Sequence, residues 1–266
     1  MLPTRSRETG GRDRLSIALL PGAVLLAYYL VPLAALVTAR SPAAVLASLQ
    51  SPDVIDAALT SVLSAAVSTG VAVAFGLPLA YWLARSEGPL AGLVTAVAVL
   101  PLVLPPVVSG MVLLTVVGPG TLLGSVGAGL GVPLTRSFPA VVLAQTFVAS
   151  PFVVVTAKTA FEDVDARLEE VARTLGEDRL STVRRVTLPL VRPSVLAGTT
   201  LAFARAIGEF GATLMLAYYP RTMPVQIWVA FTTRGLDAAF PVAVVLLGVA
   251  LATIAVVQAL DSNPLS

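Results

Sequence analysis

Residues Lys158 to Arg192 read KTAFEDVDARLEEVARTLGEDRLSTVRRVTLPLVR and form the one long polar, charged stretch of the chain, set between two strongly apolar regions. Phe161, Val164, Leu168, Val171, Ala172 and Leu175 fall at spacings of three and four, which places them on one face of a helix. Glu169 and Arg173, one turn apart, are positioned to pair opposite that face. Gly176 ends the helix, because glycine takes the positive φ required just past a helix C-terminus. Asp178 then caps a second short helix carrying Leu180 and Val183, which Pro189 stops.

Outward from this stretch the composition decides the class. Hydrophobic residues make up 56% of the chain and charged ones 12%, with a mean hydropathy of +0.90, whereas a soluble domain carries about 25% charged residues. An all-α integral membrane protein is the class this implies. A net charge of +2, dispersed along the chain, does not point to nucleic acid. The chain has no Cys and no His, so disulfides, thiolate metal sites, Ser-His or Cys-His catalysis and histidine pH switching are excluded by inventory. No catalytic or metal-ligating set is expected. Lys158 is the single lysine, and no glycine-rich phosphate loop precedes it. Any ATP that drives this protein, with its Mg, is hydrolysed on another chain.

In chain order, Met1–Arg14 holds four arginines against Glu8 and Asp13 and reads as a disordered cytoplasmic tail. Leu15–Thr38 is the first apolar run. Val37-Thr38-Ala39 resembles a signal cleavage site, but the run exceeds the roughly 7 to 15 residues of a signal core, so an uncleaved span bent at Pro21 and Pro32 is expected. Ser41–Asp56 is an amphipathic stretch for the outer surface. Ala57–Ala84 is the second span, rich in Ser, Ala and Gly, which allow close helix approach. Leu90–Val117 is the third, and Pro101, Pro105 and Pro106 interrupt it, either as pathway-lining backbone or as a plain kink.

Gly118–Ser137 reads as a flexible outer loop; its Gly127-x-Gly129-x-Gly131 lacks the strand and helix of a nucleotide site. Phe138–Ala157, Pro193–Ala217 and Leu236–Leu260 complete six spans, and Tyr218, Tyr219 and Trp228 between the last two suit a membrane interface. Alternation puts twelve Arg and Lys on the side of the N-terminus and of 158–192, against Arg40, Arg136, Arg221 and Arg234 on the other. By the positive-inside rule that first side, with both termini, is cytoplasmic. The domain thus runs over 15–260, with a tail at 261–266.

Glu170-Val171-Ala172, then Gly176, then Val186-x-Leu188-Pro189 resembles the EAA…G…I-x-LP signature of permease subunits of ABC importers, with Val171 and Val186 as conservative departures. The resemblance implies a type I importer permease fold in which this segment is a coupling helix seated in a groove of a separate ATPase. The competing reading is an amphipathic hairpin lying on the bilayer surface.

The fifth span adds an intramembrane pair, Arg205 and Glu209, one turn apart beside a stripe of Ala204, Gly208 and Ala212. A charge at the bilayer centre costs roughly 2.5 to 3.5 kcal/mol, so the pair faces protein or water. Either the two neutralise each other and fix packing, or Arg205 helps an anion along the pathway. The run from Phe203 to Trp228 resembles molybdate, tungstate and sulfate permeases, most of all archaeal molybdate/tungstate members. That resemblance implies a homodimeric pathway, two ATPase subunits inside and an extracytoplasmic oxyanion-binding protein.

Overall fold

A computed structural model describes residues 10–39 and 41–261, and among them every regular element is helical. The helices are α1 (Gly10–Thr38), α2 (Pro42–Leu49), α3 (Pro52–Ala84), α4 (Pro89–Val103), α5 (Pro106–Val117), α6 (Leu122–Gly129), α7 (Phe138–Glu162), α8 (Ala166–Thr174), α9 (Arg179–Thr182), α10 (Leu188–Ile207), α11 (Gly211–Leu216), α12 (Met223–Arg234) and α13 (Leu236–Asp261), with a π-helical turn at Val183–Thr187. Proline stands in the first turn of α2, α3, α4, α5 and α7, where its missing N–H breaks no intrahelical bond. Ser41, Thr121 and Ser137 cap α2, α6 and α7 through hydroxyls that accept from Ala44, Gly124 and Ala140 N–H.

Among the described residues, five stretches are long and apolar enough to cross a bilayer: Leu20–Thr38, Pro52–Ala84, Phe138–Glu162, Arg179–Ile207 and Leu236–Thr253. A sixth arises when α5 and α6, bent by 71° at Gly118–Thr121, are taken together. The centre of the molecule is α3 against α7, with α10 packed on both. Ser61, Ser64, Ala65, Ser68, Ala72 and Ala80 are buried along α3; Ala65 and Ala72 cluster with Ala149 and Val153 of α7, and Ala80 with Ala157. Small residues suit a lipid setting, where packing rather than water exclusion joins helices. A Cβ on Gly76 would stand 3.3 Å from Val153 and from Val154.

Several sequence expectations are corrected. The proposed tail Met1–Arg14 lies outside the described residues up to 9, and 10–14 are already helical, as is Asp261 of the proposed C-terminal tail. The outer loop 118–137 contains α6, because Thr121 caps a helix that the glycine count hides. Residues 218–235 contain α12, with Met223, Val225, Gln226 and Ala230 buried. The third span, by contrast, is broken at its prolines as the sequence suggests: Leu104 is extended, as a residue before proline prefers, and α5 starts at Pro106, while Pro101 stays within α4.

The fifth span is also broken. α10 ends at Ile207, residues 208–210 leave the helix, and α11 restarts at Gly211. Ala204, Gly208 and Ala212 therefore form no continuous stripe, and Ala204 and Gly208 are exposed; the close approach of α10 is made by Gly198, Ala202 and Ala206. The two breaks meet, since α5 packs on α11. A Cβ on Gly211 would lie 2.8 Å from Val107 N and 2.9 Å from Pro106 Cβ, and one on Gly110 would lie 2.9 Å from Ala212 O. Backbone cannot yield as a flexible side chain can. Gly211→Ala is therefore expected to destabilise the protein by about 1 to 3 kcal/mol, read as a lower thermal midpoint in detergent, while Gly92→Ala, with open space around it, should not.

Candidate functional site

The polar segment is built from three pieces. α7 continues to Glu162, with Lys158 paired to Glu162 at 2.6 Å. The chain leaves the helix over 163–165, and Asp165 starts α8 by accepting from Arg167 N–H at 2.9 Å. Phe161 and Val164 thus do not share a helix with Leu168 and Val171. At the far end, Gly176 has φ +97°. Its N–H reaches Arg173 O, and Glu177 N–H reaches Ala172 O, both at 3.1 Å, the paired bonds that close a helix around a left-handed residue. Asp178 accepts from Ser181 N–H at 2.7 Å and starts α9.

Pro189 does not stop the second helix. The π turn at Val183–Thr187 absorbs the missing donor, and the chain runs on through Leu188 and Pro189 into α10 as one apolar span. Of the signature residues, Glu170 and Pro189 are exposed, Ala172 is buried, and Val186 and Leu188 are half-buried. Leu188 packs against the cluster of Ala80, Leu83, Phe161 and Val191.

The amphipathic face of α8 is reversed from a soluble helix. Leu168 and Val171 are exposed, and Leu175 and Leu180 on either side of the Gly176 turn are 80% and 76% exposed. Its inward residues are Ala172 and the carboxylate Glu169. Glu169 does not pair with Arg173, whose Nε donates instead to the Glu169 backbone carbonyl at 3.3 Å. Its Oε1 accepts from Arg85 Nη2 at 2.7 Å and from Thr187 Oγ1 at 3.0 Å, and its Oε2 from Tyr81 OH at 3.0 Å. Burial works to raise the pKa of this carboxyl. Hydrogen bonds from Arg85, Thr187 and Tyr81 and the Arg85 charge outweigh burial, and the group titrates below its ordinary value of 4.5. It is ionised at neutral pH.

Sequence reasoning passed over Glu169, Arg85, Tyr81 and Thr187 as a set. A signal existed in the spacing: Glu169 lies three residues before Ala172, on the one face of α8 left free of large apolar residues.

In the broken fifth span, Arg205 and Glu209 do meet, with Arg205 Nη2 2.5 Å from Glu209 Oε2. The approach is an ion contact and not an aligned hydrogen bond. Glu209 is 1% exposed at its side chain and Arg205 27%. The other carboxylate oxygen of Glu209 accepts from Ala212 N–H at 2.7 Å, so the acid also caps α11. Pro105 and Pro106 lie at the α4–α5 break, both exposed on the single chain, with Pro106 against Gly211.

These features coincide with those of a known family. Residues 76–263 match the binding-protein-dependent transport system inner membrane component, and the chain belongs to that family. It is a multi-pass permease subunit of an ABC transporter, a non-catalytic membrane component that works with a separate ATPase and a substrate-binding protein. Among its relatives, a probable molybdenum ABC transporter permease protein of Haloferax volcanii is 61% identical, covering 93% of this chain and 91% of its own length. A molybdate/tungstate transport system permease protein of Pyrococcus abyssi is 34% identical, covering 94% and 96%. A chain of a bacterial alginate ABC transporter, crystallised with its alginate-bound periplasmic protein, superimposes with a TM-score of 0.68 at 18% identity over 95% of this chain and 96% of that one, a likeness of fold.

Proposed function

We propose that this permease imports a tetrahedral oxyanion, molybdate or tungstate, by alternating access. The observation that carries the substrate class is the 61% identity, over nearly the whole of both chains, to a relative named for molybdenum. Two copies of the chain enclose the pathway, an extracytoplasmic binding protein delivers the anion, and ATP and Mg are held by two ATPase subunits. The docking element is α8, the Gly176 turn and α9. Leu168, Val171, Leu175 and Leu180 supply apolar contact with Glu170 beside them, in keeping with their exposure on the single chain. ATP-driven closure draws two such elements together and reorients the helices attached to them. The breaks at Pro105 and Gly208–Phe210 lie where irregular backbone needs protein or a cavity beside it. Arg205 and Glu209 neutralise each other there and hold the break open.

Uptake by vesicles containing the full complex, with molybdate, tungstate and sulfate compared, tests the substrate class; transport of sulfate alone would refute it. For orientation, both termini are placed in the cytoplasm. The chain has no native cysteine, so introduced ones report without background. The positions to label are exposed ones, Leu180 and Tyr219. In the permease without its ATPase, Leu180→Cys should react with an impermeant maleimide only from the cytoplasmic side and Tyr219→Cys only from outside.

A further inference from the structure

We infer that Glu169 is a positioning residue, the joint that fixes the docking element to the ends of two membrane spans. This rests on the docking assignment above. The large apolar residues of α8 point away from the protein, so hydrophobic burial does little to hold this helix in place. What holds it is polar. Tyr81 and Arg85 come from the end of α3, and Thr187 from the π turn that leads into α10; all three donate to the one carboxylate of Glu169. Arg85 Nη1 also donates to Phe161 O at 2.8 Å, tying in the last turn of α7. The Tyr81 ring meets Phe161 edge-on at 5.4 Å. α3 and the π turn thus bind the buried anion of α8 directly, and α7 is tied in through Arg85 and Tyr81.

The consequence is mechanical. α8 is flanked by two compliant points, the non-helical residues 163–165 and the glycine turn at 176. Without a tie, a push on α8 bends those points and goes no further. With charge-assisted bonds to α3 and to the start of α10, the same push moves α3 and α10 with it. The joint therefore governs how much transport each hydrolysed ATP yields, and not whether the ATPase binds, since Glu169 faces away from the exposed apolar surface.

The test uses the complete complex in proteoliposomes. Glu169→Gln removes the charge and one acceptor and leaves the volume. ATPase association should stay within about twofold, while molybdate taken up per ATP hydrolysed falls about tenfold, the size expected for loss of a charge-assisted bond. Spin labels on Arg167→Cys and Glu87→Cys, both exposed sites, should give one narrow distance with and without nucleotide in the parent and a broad one in Glu169→Gln. Tyr81→Phe removes one hydroxyl, keeps the ring on Phe161, and should lower the yield per ATP about threefold; it carries the test if Glu169→Gln does not accumulate. An unchanged yield per ATP with a narrow distance in either variant would overturn the joint. If the ATPase fails to shield Leu180→Cys from maleimide in the parent complex, the docking assignment has failed, and the joint with it.

Discussion

Gly176→Val should abolish uptake while leaving the membrane helices inserted and paired. At φ +97° the backbone is in the region that side chains other than glycine avoid, at a cost of about 1 to 2 kcal/mol, and valine resists it further through its branched Cβ. If the turn relaxes, the two bonds that close α8, from Gly176 N–H to Arg173 O and from Glu177 N–H to Ala172 O, are lost. Among the described residues, nothing beyond the adjoining ones lies within 4 Å of the added Cβ. The substitution therefore spares packing within the subunit and acts on the turn and on whatever docks against it. Copurifying ATPase should drop by about tenfold or more, with insertion unchanged. Gly176→Asn, which tolerates the left-handed region, should retain part of the activity, and Glu170→Lys should give a milder defect. Normal uptake by Gly176→Val with the ATPase bound would remove the docking assignment and favour a hairpin lying on the bilayer surface.

Arg205→Ala should be the most destabilising single change in the membrane region. It leaves the Glu209 carboxylate at 1% exposure with one N–H to bind, and stranding a buried charge costs about 3 to 5 kcal/mol. Glu209→Ala strands a cation that is one-quarter exposed and so partly relieved, but it also uncaps α11; about 2 kcal/mol is expected. The double variant should recover part of the loss and not the cap, so a double-mutant cycle on thermal unfolding in detergent should give a coupling of about 1 to 3 kcal/mol. Additive losses would show that the contact contributes nothing. A double variant that folds as the parent does and fails to transport would move Arg205 into the anion pathway.

The fold class and the place of most spans were legible because bilayer thickness fixes the length of an apolar run, and the chain obeys it at α3, α7 and α13. The turn at Gly176 and the cap at Asp178 were legible for a local reason: both are decided within five residues. What was not legible depended on partners distant in sequence. The Glu169–Arg173 pair satisfies helical spacing, yet Arg85, 84 positions away, takes the carboxylate instead. The fifth span reads as continuous because its composition is apolar throughout, and the break at Gly208 follows from Glu209 turning back to cap α11 and from the contact of Gly211 with Pro106. Pro189 misled in the opposite direction, since the π turn before it leaves the helix running. α6 and α12 were hidden because short helices in glycine-rich or aromatic connections carry no long periodic signal.

The exposed leucines at the Gly176 tip bear on how the subunit is made. Leu175 and Leu180 flank an exposed turn that no other described residue covers. On the docking proposed above, a copy synthesised ahead of its ATPase would present that apolar tip to the aqueous phase, copies that find a partner would be shielded, and the surplus would be open to clearance.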